Sequence, residues 1–286
     1  MDSRMKKVLA AGALAAGTAA AVAALKRTDP HLVRCQDGWA LVSTHRIEGT
    51  PVRVMRQGGV WQSATYLGDA WAEPVFAYYR AFDAIFSASP AFEAASGHAI
   101  AHALMIGGGG FAWPKHALTE HADLSLTVVE HDPATIACAR RWFYLDRLER
   151  EAGERLSVIC ADGRAFLEEA DARFDAILND AFTGALPVRS LATVEAARAM
   201  KAHLVPGGLY AANVVSEDEG EDVSFLRDCM ATLEEVFAHV AVLPAEDETY
   251  GGENNYLVVA TDAALALPDA IPFDEEFLGA ILENEG

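Results

Sequence analysis

Positive charge is scarce in this sequence: 22 lysines and arginines stand against 42 aspartates and glutamates, a formal net charge of -20. Long-range repulsion of that size opposes binding to a phosphate backbone and argues against nucleic acid as a partner. An acidic surface draws polycationic amines, although its simplest use is solubility. Cysteine is sparse too. Cys35, Cys138, Cys160 and Cys229 lie far apart with no CxxC pair, the pattern of reduced thiols rather than of a disulfide framework. Cys138 falls in an expected helix and Cys160 in an expected strand, where small apolar packing is the usual role. Neither His116 nor His121 has a histidine four residues away or a cysteine pair nearby, so no metal site is expected. No Pro/Ser-rich linker interrupts the chain, and a 286-residue sequence that is 52% hydrophobic has material for one large core.

The first 30 residues stand apart in composition. Arg4, Lys6 and Lys7 precede a charge-free, Ala/Gly-rich stretch over 8–25, closed by Lys26 and Arg27. That length allows a marginal membrane span or a signal-like helix, but alanine and glycine contribute little transfer energy, and flanking basic residues on both sides leave orientation open. The expectation is an N-terminal anchor or exposed helix over 1–30, with possible membrane contact through 8–25 and the remainder in the cytoplasm.

The strongest signal lies mid-chain. Leu104-Met105-Ile106 runs into Gly107-Gly108-Gly109-Gly110-Phe111-Ala112, and Leu124 to Val129 then delivers Glu130. A strand, a glycine turn and a second strand ending in a carboxylate describe a βαβ nucleotide pocket with GxGxxA spacing and an acid about 20 residues on. Gly107 and Gly109 allow the sharp turn beneath a ligand, and Glu130 can accept from two ribose hydroxyls.

Further strand-like runs end on polar residues: Ser157 to Cys160 before Asp162-Gly163, Phe174 to Leu178 before Asn179-Asp180, and Leu209 to Val215 after the Pro206-Gly207-Gly208 turn. Helical stretches over 114–120, 133–148, 164–169 and 193–203 lie between them. This alternation predicts right-handed crossovers and a parallel sheet covered on both faces. Glu130, Asp162 and Asp180 then gather along the carboxyl edge, where open α/β sheets bind ligands. A helix over 222–237, strands over 239–243 and 256–261, and a surface-lying acidic tail from 263 complete the chain.

These residues, together with Val128-Val129-Glu130-His131-Asp132-Pro133, Ala161 to Leu167, Phe174 to Asp180 and Pro206 to Leu209, resemble the spermidine synthase family. Upstream, Arg53 to Gln57, Gly58-Gly59 and Val60-Trp61-Gln62-Ser63 look like that family's N-terminal hairpin with its glutamine. The resemblance covers about residues 35 to 262. It implies a Rossmann-like AdoMet-methyltransferase fold: α/β, a mostly parallel seven-stranded sheet with an antiparallel last strand, preceded by a small β-hairpin region. The antiparallel strand is absent from the dehydrogenase fold, which sets NAD aside. The implied domains are 31–90 for the hairpin and linking helix, 91–265 for the nucleoside-binding unit and 266–286 for the tail.

The resemblance also implies roles. Glu130 would hold the ribose, Asp162 and Gly163 would face adenine, and Gly107 and Gly109 would lie beside the sulfonium of decarboxylated S-adenosylmethionine or S-adenosylmethionine, with no metal. Asp180 matches the first acid of an Asp-x-x-Asp-Pro loop and is the candidate catalytic base, while Gln62 and Glu73 would bind the acceptor amine. A homodimer is implied as well.

Three departures qualify this. Gly110 stands where the family has an acid that contacts the amine of decarboxylated AdoMet. Thr183 replaces the second loop acid, and a hydroxyl is no base near neutrality. Counting on from Gln62, the Tyr-His-Glu triplet of the polyamine site falls on Trp71-Ala72-Glu73. Aminopropyl transfer needs a neutral amine nucleophile in line with the sulfonium, hence a carboxylate to take its proton, for which Asp180, Glu73 and Asp69 remain. Trp71, Pro74, Phe76, Tyr78 and Tyr79 read as a packing segment. Gly110 is compatible with the carboxylate of AdoMet, so methyl transfer and a non-catalytic nucleoside-binding homologue stand as alternatives.

Overall fold

The structure is a computed structural model that describes residues 29–183, 186–216, 224–245, 254–264, 266–273 and 279–284. The expected anchor over 8–25 lies outside the described residues, among which no helix is long and apolar enough to cross a membrane.

Four antiparallel strands come first, paired in sequence order: β1 (His31–Cys35), β2 (Gly38–Ile47), β3 (Thr50–Gln57) and β4 (Val60–Tyr66). The expected hairpin is the β3–β4 half of this meander. The other half was hard to see because the polar run Ser43 to Arg46 interrupts the alternation in β2, whose buried Ala40 and Val42 are flanked by exposed Trp39 and Leu41. Three short helices, α1 (Ala77–Ala81), α2 (Ala84–Ser87) and α3 (Ser89–Ser96), lead into the main sheet.

That sheet begins with β5 (His102–Ile106), α4 (Ala112–Glu120), β6 (Ser125–Glu130), α5 (Pro133–Trp142), α6 (Leu145–Ala152), β7 (Leu156–Cys160), α7 (Gly163–Glu169) and β8 (Phe174–Asn179). A two-stranded ribbon, β9 (Phe182–Thr183) and β10 (Leu186–Pro187), precedes α8 (Val194–Ala202), β11 (Leu204–Ser216), α9 (Ser224–Glu234), β12 (His239–Pro244) and β13 (Asn254–Thr261). The seven-stranded order is β12-β13-β11-β8-β5-β6-β7. β5, β6, β7, β8 and β11 run parallel, and β13 is antiparallel to both neighbours. Apolar clusters cover both faces, one reaching the N-terminal meander and one formed with α8 and α9. The α/β class, the seven strands and the antiparallel last strand are as the sequence led us to expect.

Local differences have physical causes. The single helix expected over 133–148 is two, because Phe143 turns into the core with no exposure and Tyr144 adopts φ +63°. The carbonyl that this break frees, on Phe143, accepts from Lys115 Nζ at 3.1 Å. β11 runs through Pro206-Gly207-Gly208 instead of starting after it, absorbing the turn residues as a register shift against β8. The tail is tied down: Leu282 accepts from Val194 N at 2.7 Å and donates to Thr232 Oγ1 at 2.9 Å, which seats it between α8 and α9.

Candidate functional site

Parallel strands place their carboxyl ends on one edge, and β13, running the other way, brings its first residues there too. A cavity of about 320 Å³ opens along this edge, from Asn255 on β13 to Asp162 after β7. Five strand spacings separate those residues, about 24 Å. Gln62, Gly107, Gly109, Glu130, Asp162, Gly163 and Asp180 all lie on its wall. Phe111 and Trp113 do not plug it; both are fully buried beneath.

Where β5 and β6 end, Gly107 takes φ +94° and Gly109 φ +49°, so the chain reverses under the cavity. Glu130 organises this turn. Its Oε2 accepts from Gly108 N at 2.9 Å and Gly109 N at 3.0 Å, while Oε1 accepts from Asp132 N at 3.0 Å and lies 3.2 Å from His131 Nδ1. Burial alone would raise the pKa of this carboxyl, but the His131 ring and the three amides hold it below its ordinary value. With both oxygens doubly engaged, a ribose diol reaching Glu130 has to displace one of these donors. His131 also bonds Asp37 Oδ2 at 3.0 Å through Nε2. The Glu130 hydrogen bond, opposed by burial and assisted by Asp37, pushes its pKa up to about 9, so the ring is an imidazolium tied between two acids.

Asp162 caps α7 by accepting from Ala165 N at 2.9 Å, and Asp132 caps α5 by accepting from Ala134 N at 2.8 Å. Gly163 faces Ile106 so closely that a Cβ there would strike the Ile106 side chain. Gly110 has no room for a larger side chain either: an added Cβ would meet Ser63 Cβ at 2.8 Å and Phe143 Cδ1 at 3.1 Å, and Gly110 N donates to Ser63 Oγ at 2.8 Å. The place where the resemblance implies an amine-contacting acid is filled.

The other half is built from β8, β11, β13 and α1. Asp180 is partly exposed to the cavity, and Asn213 Nδ2 donates to its Oδ1 at 2.9 Å. Burial pushes the Asp180 carboxyl up to about 7 against the lowering effect of Asn213. Tyr79, buried on α1, has its hydroxyl pKa raised by burial and by the nearby Asp180 charge. Trp61, Tyr78, Tyr79, Asn213 and Asn255 share this wall.

Glu73 is not brought to the cavity. Its exposed side chain lies 3.5 Å from Arg80, and neither it, Asp69 nor Trp71 is on the wall. The direct count from Gln62 lands in the connection between β4 and α1, ahead of the residues that reach the wall. Tyr78 and Tyr79, read as packing residues, occupy the wall instead. A longer spacing from Gln62 to an aromatic pair was the available signal. Asn213, a single polar residue in an apolar run, carried none, and nothing set Ser63 and Asn255 apart from the polar residues beside them. Among the described residues no cluster of His, Cys, Asp or Glu is arranged to hold a metal ion.

Comparison with known proteins gives a consistent result. Residues 92–265 match the family model of the spermine/spermidine synthase domain. A polyamine aminopropyltransferase of Escherichia coli O1:K1 is 29% identical over 174 residues, 59% of this chain and 57% of that protein, so the chain spans just over half the length of this curated relative. A probable spermidine synthase from Corynebacterium glutamicum superposes with a TM-score of 0.66 at 24% identity, covering 84% of this chain and 82% of the other. Human methyltransferase-like protein 13, solved with SAH, gives 0.51 at 20% identity over 68% of this chain and 85% of its own. At such identities both structures speak for the fold.

Proposed function

The chain belongs to the spermine/spermidine synthase family, and from that premise we propose that it transfers an aminopropyl group from decarboxylated S-adenosylmethionine to a small amine. The observation that carries this reading is the charge of the wall. It bears five carboxylates, Asp37, Glu130, Asp132, Asp162 and Asp180, and among the described residues no lysine or arginine. The cation among the described wall residues, His131, is held between Glu130 and Asp37. Such a surface favours a sulfonium whose chain ends in an ammonium and an acceptor that is itself a cation.

In this reading Glu130 and the glycine turn seat the ribose and sulfonium, and Asp162 with Gly163 faces adenine. Asp180, two strands from Glu130, takes the proton of the attacking ammonium. The nitrogen lone pair forms the C–N bond while the C–S bond breaks and its electrons return to sulfur, leaving a neutral thioether nucleoside. A carboxyl with pKa near 7 is half ionised at neutral pH, suited to accepting a proton there.

Methyl transfer from AdoMet is the second reading, supported by Gly110. It has to place the carboxylate of AdoMet in this acidic cavity, although the amides nearest to it already donate to Glu130 and Ser63. Calorimetric titration with decarboxylated AdoMet, AdoMet, methylthioadenosine and NAD separates the readings. Tighter binding of the decarboxylated form, with product from an amine panel, is expected. Preference for AdoMet overturns the proposal in favour of methylation, and nucleoside binding with no turnover of any amine favours a non-catalytic homologue.

A further inference from the structure

Asn213 follows Ala212, which is paired with Asn179 on β8, so β11 presents Asn213 beside Asp180. Its Nδ2 donates to Asp180 Oδ1, and no described residue donates to Oδ2. Both residues line the cavity. Asn213 also borders a second, smaller cavity walled by Leu191, Ala212, Val214 and Leu233. Its Oδ1 is buried with no hydrogen-bond partner. An orphaned carbonyl in such surroundings works against folding, and an apolar side chain of the same size would fill the position with less penalty. What asparagine supplies and an apolar residue does not is the N–H on Asp180.

We propose that Asn213 is the positioning residue of this site: its amide fixes the Asp180 carboxylate so that Oδ2 is presented to the attacking nitrogen. This rests on the aminopropyl-transfer reading for its chemistry but not for its test. The bond favours the ionised carboxylate against the burial that disfavours it. Among the described residues the titratable group acting beside Asp180 is the Tyr79 hydroxyl on α1, which stays protonated, so no charge among them substitutes for the amide.

The test is a carbon NMR titration of carboxyl-labelled aspartates in the wild type, Asp180→Asn and Asn213→Leu. One carboxyl is expected to titrate near pH 7 in the wild type and to vanish in Asp180→Asn. In Asn213→Leu it should move up by about one pH unit, which cuts the ionised fraction at pH 7 about fivefold. The acid limb of the turnover profile should move with it, while nucleoside affinity stays within about threefold, a change worth under half a pH unit. Should Asn213→Leu fail to fold, Asn213→Ser, which keeps a shorter donor, is expected to give a smaller shift in the same direction. An unmoved Asp180 titration, or nucleoside binding lost in step with turnover, overturns the proposal. A wild type that turns over no amine while the titration moves as stated refutes aminopropyl transfer and leaves the positioning role standing.

Discussion

Gly107 packs against the backbone of Asp180: a Cβ at residue 107 would overlap the Asp180 carbonyl oxygen and sit 2.8 Å from its carbonyl carbon. The glycine turn and the loop that carries Asp180 thus touch, main chain to main chain, where β5 and β8 end side by side, with Asp180 N donating to Ile106 O at 2.9 Å.

Gly107→Ala therefore meets two obstacles, the φ of +94° and the Asp180 carbonyl. Destabilisation by about 1–3 kcal/mol is expected, the cost of a strained backbone residue. Thermal melting measures it, and nucleoside affinity should fall with it. A variant with wild-type melting and binding would mean that the turn does not have this geometry.

Glu130 holds the glycine turn and lines the cavity. Glu130→Ala strands the amides of Gly108, Gly109 and Asp132 and should lower stability by about 1–3 kcal/mol, in addition to a similar loss in nucleoside binding. Because the folded pKa lies below the ordinary value, the stabilisation is complete above the unfolded pKa of about 4.3 and is lost as pH falls through the folded one. Urea titrations from pH 7 to pH 3 should show a steeper acid loss in the wild type than in Glu130→Ala.

Asp180 has the opposite sign. Its pKa is raised to about 7, so the folded state keeps a proton that the unfolded chain gives up at about pH 4. Stability falls as pH rises through this interval, and the penalty is complete above the folded pKa. Asp180→Asn is expected to melt higher than the wild type at pH 8, by an amount that shrinks towards pH 4, and to have no amine-dependent turnover. Equal melting at both pH values would place this carboxyl in an ordinary environment.

Lys115 is 1% exposed, and its Nζ donates to Thr65 Oγ1 at 2.8 Å and to Phe143 O at 3.1 Å, with no carboxylate on it. Burial lowers its pKa to about 7. The unfolded lysine holds its proton up to about pH 10.4, so this residue makes stability rise with pH from 7 upwards. Lys115→Met should remove that rise, seen as a smaller gain in melting temperature between pH 7 and pH 9, with nucleoside affinity unchanged because Lys115 lies off the cavity wall.

Residues local in sequence were legible. Gly107, Glu130 and Asp162 sit at the ends of strands that the alternation of apolar runs and turns already marked, and a parallel sheet brings such ends to one edge whatever the details of packing. The expected helix over 133–148 is two helices, and sequence pattern does not mark the break, because it depends on what the Phe143 ring buries against and on the lysine that takes up its carbonyl.

The order of elements and the residue closing each strand determined the parallel sheet and the glycine-turn side of the cavity, and the family resemblance supplied the antiparallel last strand. Only the tertiary structure decided the other half of the cavity, around Asp180. Tyr78 and Tyr79 arrive on a short helix behind a connection whose length no periodicity measures, and Glu73 is left on the surface facing Arg80. Ser63 fills the space beside Gly110 from a different sheet, and Asn213 reaches Asp180 from the neighbouring strand. Contacts between segments so far apart are set by how the meander, helices and sheet pack, and strand pattern carries no record of that.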